Sequence, residues 1–181
     1  MARNLETKFR CDEATLESVR HRADEEGATP FEMLRQVDTY FAVRQGRLKV
    51  REFEDERGQR GAELIAYARP DETGSRWSNY QRVQLDIDTI DEMRRALESA
   101  CGVSATIEKR REVAILRRTR LHLDRVAGLG CFVELETVAG AGDGDGALAQ
   151  EHSAIIRALG LSDRAVIDGS YGDLFDETEE V

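Results

Sequence analysis

Apolar and polar residues alternate with a period of two through most of the first 138 positions. The alternation predicts eight strands, at roughly 3–10, 36–43, 47–53, 62–69, 79–86, 105–116, 118–124 and 131–138. Their separators are turn-like: Gln45-Gly46 before the third, Asp55 to Gly61 before the fourth, and Pro70 to Gly74 before the fifth. Links this short make antiparallel hairpins. Three stretches switch to helical spacing. The first follows Asp12 with Leu16, Val19 and Ala23 on one face and ends at Gly27; the second follows Asp88 with Ile90, Met93, Leu97 and Cys101; the third carries Leu148, Ile155, Ile156 and Leu159 before Gly160. Each has a single apolar stripe, so each is expected to lie against a sheet. The glycine-rich run 139–146 reads as a linker, residues 1–175 as one domain, and Asp176 to Val181 as an acidic tail.

Because successive strand side chains point to opposite faces, parity sorts the charges. Asn4, Glu6, Lys8 and Arg10 share a face opposite Leu5, Thr7 and Phe9. Arg47, Lys49 and Arg51 oppose Leu48 and Val50; Arg118, Arg120, His122 and Asp124 oppose Leu121 and Leu123; Glu134 and Glu136 oppose Val133 and Leu135. The sixth strand carries charge on both faces, with Lys109 and Arg111 on one and Glu108, Arg110 and Glu112 on the other. An ordinary half-solvated sheet would explain such alternation. Eight antiparallel strands can instead close into a barrel with the charged face inside and the helices packed outside, an α+β architecture. Charge enclosed in this way is costly unless it is paired or completed by a ligand and a metal.

Composition narrows the partner. The net charge of -10 argues against nucleic acid, but residues 137–181 hold ten acids and two bases, leaving 26 acids against 24 bases in the rest of the chain. A cationic interior therefore fits within an acidic protein. On the charged faces, nine bases (Lys8, Arg10, Arg47, Lys49, Arg51, Lys109, Arg111, Arg118 and Arg120) outnumber four acids (Glu6, Asp124, Glu134 and Glu136). Arginine's planar fork suits phosphate oxygens, which points to a small polyanion. Cys11, Cys101 and Cys131 lie far apart and His21, His122 and His152 are scattered, so neither a disulfide framework nor a soft-metal cluster is expected. Any metal is expected on oxygen ligands, as Mg2+ or Mn2+. No run approaches the ~18 apolar residues of a membrane helix, and the N-terminal residues lack the apolar run of a signal peptide. A soluble, cytoplasmic protein without membrane partners is the expectation.

Five motifs resemble those of the CYTH superfamily, the triphosphate tunnel metalloenzymes. They are Asn4-Leu5-Glu6-Thr7-Lys8, Arg47 through Glu52, Lys109-Arg110-Arg111, the block Arg120 through Asp124 with Leu129 through Glu136, and Ser170-Tyr171-Gly172-Asp173-Leu174. The resemblance implies metal binding by Glu6, Glu134 and Glu136. It implies triphosphate contacts by Lys8, Arg47, Lys49, Arg51, Lys109 and Arg111, and a role for Asp124 near the reacting phosphate. Parity adds Arg118 and Arg120 to the phosphate-binding candidates, and Arg69 stands where the family commonly has a lysine. Asp124, Lys8 and Arg111 are the candidate catalytic residues. Asn4 departs from the pattern, replacing an acidic ligand by an amide.

The spacing of the Arg120–Asp124 and Leu129–Glu136 block looks closest to class IV adenylyl cyclases, which implies conversion of ATP to cyclic AMP and pyrophosphate. Hydrolysis of inorganic, thiamine or nucleoside triphosphate is the alternative reading, and a non-catalytic polyphosphate- or nucleotide-binding module is a third, motivated by Asn4. Apolar strand or helix surface left exposed would be the place for a homodimer contact.

Overall fold

The computed structural model describes residues 2–68, 74–140 and 142–179. Eight strands close into one antiparallel barrel: β1 (Ala2–Cys11), β2 (Glu32–Phe41), β3 (Arg47–Asp55), β4 (Arg60–Ala68), β5 (Arg76–Leu85), β6 (Val103–Leu116), β7 (Thr119–Val126) and β8 (Gly130–Val138). Around the barrel the order is β1-β5-β4-β3-β2-β6-β7-β8, with β8 returning to β1. Among the described residues, closure leaves no sheet edge exposed. Two strands begin three or more residues earlier than the alternation predicts. β2 starts at Glu32 because the long β6 offers residues 111–113 as pairing partners for residues 32–34, and β5 starts at Arg76, opposite Glu6.

Four α-helices pack outside or across the barrel: α1 (Glu13–Glu25), α2 (Ile90–Cys101), α3 (Asp145–Ala158) and α4 (Tyr171–Glu179). The first three match the predicted stripes. Asp12 caps α1 by accepting from the Thr15 amide, and Leu16, Val19 and Ala23 bury against Phe9, Leu121, Leu123, Val133 and Leu135 on the outer wall. From α3, Ile155 joins this same cluster. α2 docks chiefly through Ile90, while Met93 remains exposed. Among the described residues, no helix is long and apolar enough to cross a membrane.

The fourth helix begins inside the predicted domain, at Tyr171, and runs into the stretch read as an acidic tail, reaching Glu179; residues 180–181 lie outside the described residues. Its spacing signal is Tyr171, Leu174 and Phe175, at i, i+3 and i+4. Ser170 and Asp173 form a capping box, the Ser170 amide donating to Asp173 Oδ2 at 2.5 Å while the Asp173 amide donates back to Ser170 Oγ at 3.2 Å. Tyr171 and Leu174 pack with Tyr40, Ala105, Ile107, Val126 and Phe132, so α4 closes one end of the barrel. Gly172 allows this approach: a Cβ there would lie 3.3 Å from the Tyr40 ring. Trp77, read from sequence as part of a turn, stands in β5 under the Arg3 guanidinium at 3.7 Å.

Candidate active site

The barrel interior holds a cavity of about 270 Å3. It is deeply buried at Lys8, Lys49, Lys109, Arg111, His122 and Glu134 and half-buried at Leu34, Phe53, Val113 and Tyr80. Alternation delivers these groups. β1 turns Asn4, Glu6 and Lys8 inward, β3 Lys49 and Arg51, β6 Lys109 and Arg111, β7 Arg120 and His122, and β8 Glu134 and Glu136.

The charges are organised into two poles. On the β2–β3–β6 side, Asp38 is fully buried and accepts from three cations: Lys49 Nζ at 2.9 Å, Lys109 Nζ at 2.6 Å, and Arg51 through Nε at 2.7 Å and Nη2 at 2.8 Å. Burial alone would raise the Asp38 carboxyl, but Arg51, Lys109 and Lys49 outweigh it and hold it well below the usual carboxylate range. Lys109 moves opposite to the usual trend for a paired lysine. Burial, together with Arg51, Arg111 and Lys49, outweighs Asp38 and pulls the ammonium well below its ordinary value. One carboxylate serving three cations leaves this pole positive, ready for an anion.

The opposite pole carries the carboxylates Glu134 and Glu136, each paired with bases. Glu134 meets Lys8 at 3.3 Å and Arg111 at 2.9 Å, and Glu136 meets Arg120 at 3.0 Å. His122 Nδ1 lies 3.4 Å from Glu134 and 3.8 Å from Glu136. Burial opposes ionisation of Glu134, yet Lys8, His122 and Arg111 keep it well below its ordinary value. Ligating atoms of His122, Glu134 and Glu136 all lie within 4.8 Å of one another, a donor set that fits a divalent cation. Glu6 pairs in register with Glu136 across β1 and β8, which brings a third carboxylate to the same wall.

Not every predicted residue lines the cavity. Asp124 is buried behind the wall, accepting from Arg111 Nε at 2.6 Å and from the Tyr171 hydroxyl at 2.6 Å, so it acts on the interior by holding Arg111. Arg47 turns to the α4 cap and meets Asp173 at 2.9 Å. Arg118 lies on the outer surface with Asp143 at 2.8 Å and Glu151 at 2.9 Å. Its neighbour Arg117 takes a left-handed conformation (φ 57°), which ends the alternation that would have turned Arg118 inward. Arg10 donates to the Leu129 carbonyl at 3.0 Å beside Phe132. Arg69 lies outside the described residues.

Sequence reasoning missed Asp38, Glu63, Arg82 and Tyr171. Arg82 and Glu63 stand 3.7 Å apart at the half-exposed mouth. The Tyr171 ring lies 3.8 Å from Lys8 Nζ and 5.2 Å from Lys109 Nζ, forming part of the cavity floor. Asp38 shares parity with Gln36 and Tyr40 in β2 and was findable by the sorting applied to the other strands. With Glu63 and Arg82 included, seven bases and four acids line the cavity. Asp38 and Asp124 lie behind its wall, so the positive excess is smaller than the sequence count suggests.

The CYTH domain family matches residues 2–171. Among solved structures, a conserved hypothetical protein from Pyrococcus furiosus is 24% identical, with a TM-score of 0.76 over 94% of this chain and 99% of that one. A candidate adenylate cyclase from Vibrio parahaemolyticus is 16% identical, with a TM-score of 0.70 over 96% and 97%. A candidate adenylyl cyclase from Hippeastrum, described as having a dominant triphosphatase activity, is 13% identical, with a TM-score of 0.66 over 98% and 96%. No curated protein matches.

Proposed function

We propose, from the premise that this chain belongs to the CYTH family, that it converts ATP to cyclic AMP and pyrophosphate with Mg2+ or Mn2+ in the barrel. Triphosphate-directed chemistry is the common ground of the family, and cyclisation is the finer reading. The observation that carries it is the polarised cavity: three cations gathered on Asp38 face Glu134, Glu136 and His122 across one interior.

The resting ion pairs suggest how binding proceeds. Lys8 and Arg111 pair with Glu134, and Arg120 pairs with Glu136. Glu134 and Glu136 would hold the cation of a metal triphosphate, which would free Lys8, Arg111 and Arg120 for phosphate oxygens and leave every buried charge compensated. A bound metal would supply Lewis-acid polarisation of the phosphates. Lys8, Lys49 and Lys109, gathered about Tyr171 and Asp38, would take the far phosphate, and Arg51, Arg111 and Arg120 the remainder. Asp124 and Tyr171 keep Arg111 oriented.

Half-buried Leu34, Phe53 and Val113 at the mouth suit an organic group better than free solvent-borne phosphate. ATP then enters with its terminal phosphate toward the floor made by Tyr171. The ribose 3'-hydroxyl attacks the α-phosphorus, forming one P–O bond as the bond to pyrophosphate breaks, and its proton leaves to solvent at the mouth. Such chemistry needs positioning and charge stabilisation but no covalent nucleophile.

A second reading, hydrolysis of a triphosphate, is favoured by the cavity volume of about 270 Å3. Sites for drug-sized ligands usually span about 300–1,000 Å3, so a bare phosphate chain fits more closely than a whole nucleotide. The triphosphatase activity named for the Hippeastrum protein supports the same reading. Phosphorus NMR of protein incubated with ATP, thiamine triphosphate or inorganic triphosphate and either metal separates the two. Cyclic AMP with pyrophosphate supports the cyclase; orthophosphate with a diphosphate product supports hydrolysis. Shifted resonances without turnover would make the protein a binding module. Glu134→Gln combined with Glu136→Gln is expected to abolish metal-dependent turnover while the protein stays folded; retained turnover would refute the site.

A further inference from the structure

We propose that His122 is itself a metal ligand, its Nδ1 joining Glu134 and Glu136 in a mixed nitrogen and oxygen site that favours Mn2+ over Mg2+. This deepens the metal-dependent reading above and rests on it. The sequence suggested oxygen ligands alone, because its histidines are scattered; the barrel brings one of them onto the carboxylate pair.

The placement follows from strand register. β7 and β8 pair so that His122 stands directly opposite Glu134 and Arg120 opposite Glu136, and all four side chains enter the cavity. Nδ1 sits 3.4 Å from Glu134 Oε2 and 3.8 Å from Glu136 Oε1. Good N–H···O hydrogen bonds are about 2.7–3.2 Å long, so neither contact is strong. Neighbouring ligands around one ion, each bonded at about 2.1 Å, lie roughly 3 Å apart. His122 Nδ1 therefore stands near the separation a shared ion requires from each carboxylate, and the three ligand atoms all lie within 4.8 Å of one another.

A second observation comes from β1. Asn4 is 1% exposed and lines the same cavity, two residues from Glu6, which faces Glu136 in register. Its Oδ1 is buried without a hydrogen-bond partner. An unsatisfied buried oxygen is destabilising, and a cation or its bound water would complete it. The converging donor set is two carboxylates and an imidazole, with the neutral Asn4 amide oxygen elsewhere on the lining of the same cavity. Mg2+ prefers hard oxygen ligands and gives up its water reluctantly, whereas imidazole binds transition ions more strongly along the order that begins at Mn2+. Mn2+ accepts both kinds of ligand.

The test is pulsed EPR of Mn2+ bound to tag-free protein, with and without inorganic triphosphate. Among the described residues lining the cavity, His122 is the one histidine; His21 is exposed on α1 and His152 is hydrogen-bonded to Thr7 and Thr137. The expected result is a nitrogen coupling of imidazole type that changes on 15N-histidine labelling and disappears in His122→Asn. Mn2+ affinity in that variant should fall about tenfold or more, with a smaller loss for Mg2+. The isotope experiment decides the question even if His122→Asn does not fold. Mn2+ bound without nitrogen coupling, with affinity unchanged in the variant, would overturn His122 as a ligand and leave the carboxylate site standing. Failure to bind Mn2+ under either condition would overturn both.

Discussion

His152 offers a quantitative test of how α3 is held to the barrel. Its Nε2 lies 2.7 Å from Thr7 Oγ1 and its Nδ1 2.7 Å from Thr137 Oγ1; those hydroxyls continue to Ser75 and Thr119, each at 2.7 Å. The ring is fully buried, and burial pushes its pKa down to about 4 from an ordinary 6.5. The folded protein therefore favours the neutral imidazole, while the unfolded chain takes up a proton near pH 6.5. The stabilisation is complete above that pH and is lost as pH falls through the window from 6.5 to 4. At about 1.36 kcal/mol per pKa unit, the full loss is about 3 kcal/mol, of which about 2 kcal/mol is reached by pH 5. Denaturant unfolding at pH 7.5 and pH 5 measures it, with His152→Gln as reference because an amide can still bridge two hydroxyls but does not titrate here. Carboxylates contribute to both proteins, so the difference isolates the ring. The variant should lose about 2 kcal/mol less than the parent between the two pH values. Identical pH dependence would refute the assignment.

Asp38→Asn should destabilise the barrel by about 3–5 kcal/mol, because it leaves Lys49, Arg51 and Lys109 without their shared carboxylate. Inorganic triphosphate should restore part of the lost melting temperature; a stable variant indifferent to triphosphate would count against the cationic pole. In the unaltered protein, triphosphate with Mg2+ should raise the melting temperature far more than monophosphate at equal concentration, and equal shifts would indicate a nonspecific basic surface. Burial and the neighbouring Cys131 push the Cys11 thiol up to about 12. Iodoacetamide at pH 8 should therefore alkylate Cys11 much more slowly in the folded protein than in urea, as read by peptide mass spectrometry; equal rates would contradict the raised thiol of this half-buried residue.

Much of the fold was legible because its determinants are local. A period of two and short turns specify antiparallel strands, and single apolar stripes specify α1, α2 and α3. The inward positions of Lys8, Lys49, Arg51, Glu134 and Glu136 followed from parity alone, whereas β6 is charged on both faces and only the closed barrel shows Lys109 and Arg111 turned inward. Local reasoning failed where a neighbouring element decided the outcome. The length of β6 drew residues 32–34 into β2, and the left-handed Arg117 put Arg118 outside. α4 exists because Tyr171 and Leu174 find Tyr40, Phe132 and Ile107 at the barrel end.

Which charge meets which was beyond the sequence, since closure sets those distances between residues far apart in the chain. Asp38 reaches Lys109 across 71 positions, Tyr171 reaches Asp124 across 47, and Cys11 and Cys131, distant in sequence, stand opposite each other in register. The residue types were fixed by the chain. The division of the interior into a cationic pole and one that carries the carboxylates, with His122 beside them, was decided only when the eight strands closed and their register aligned the inward rows.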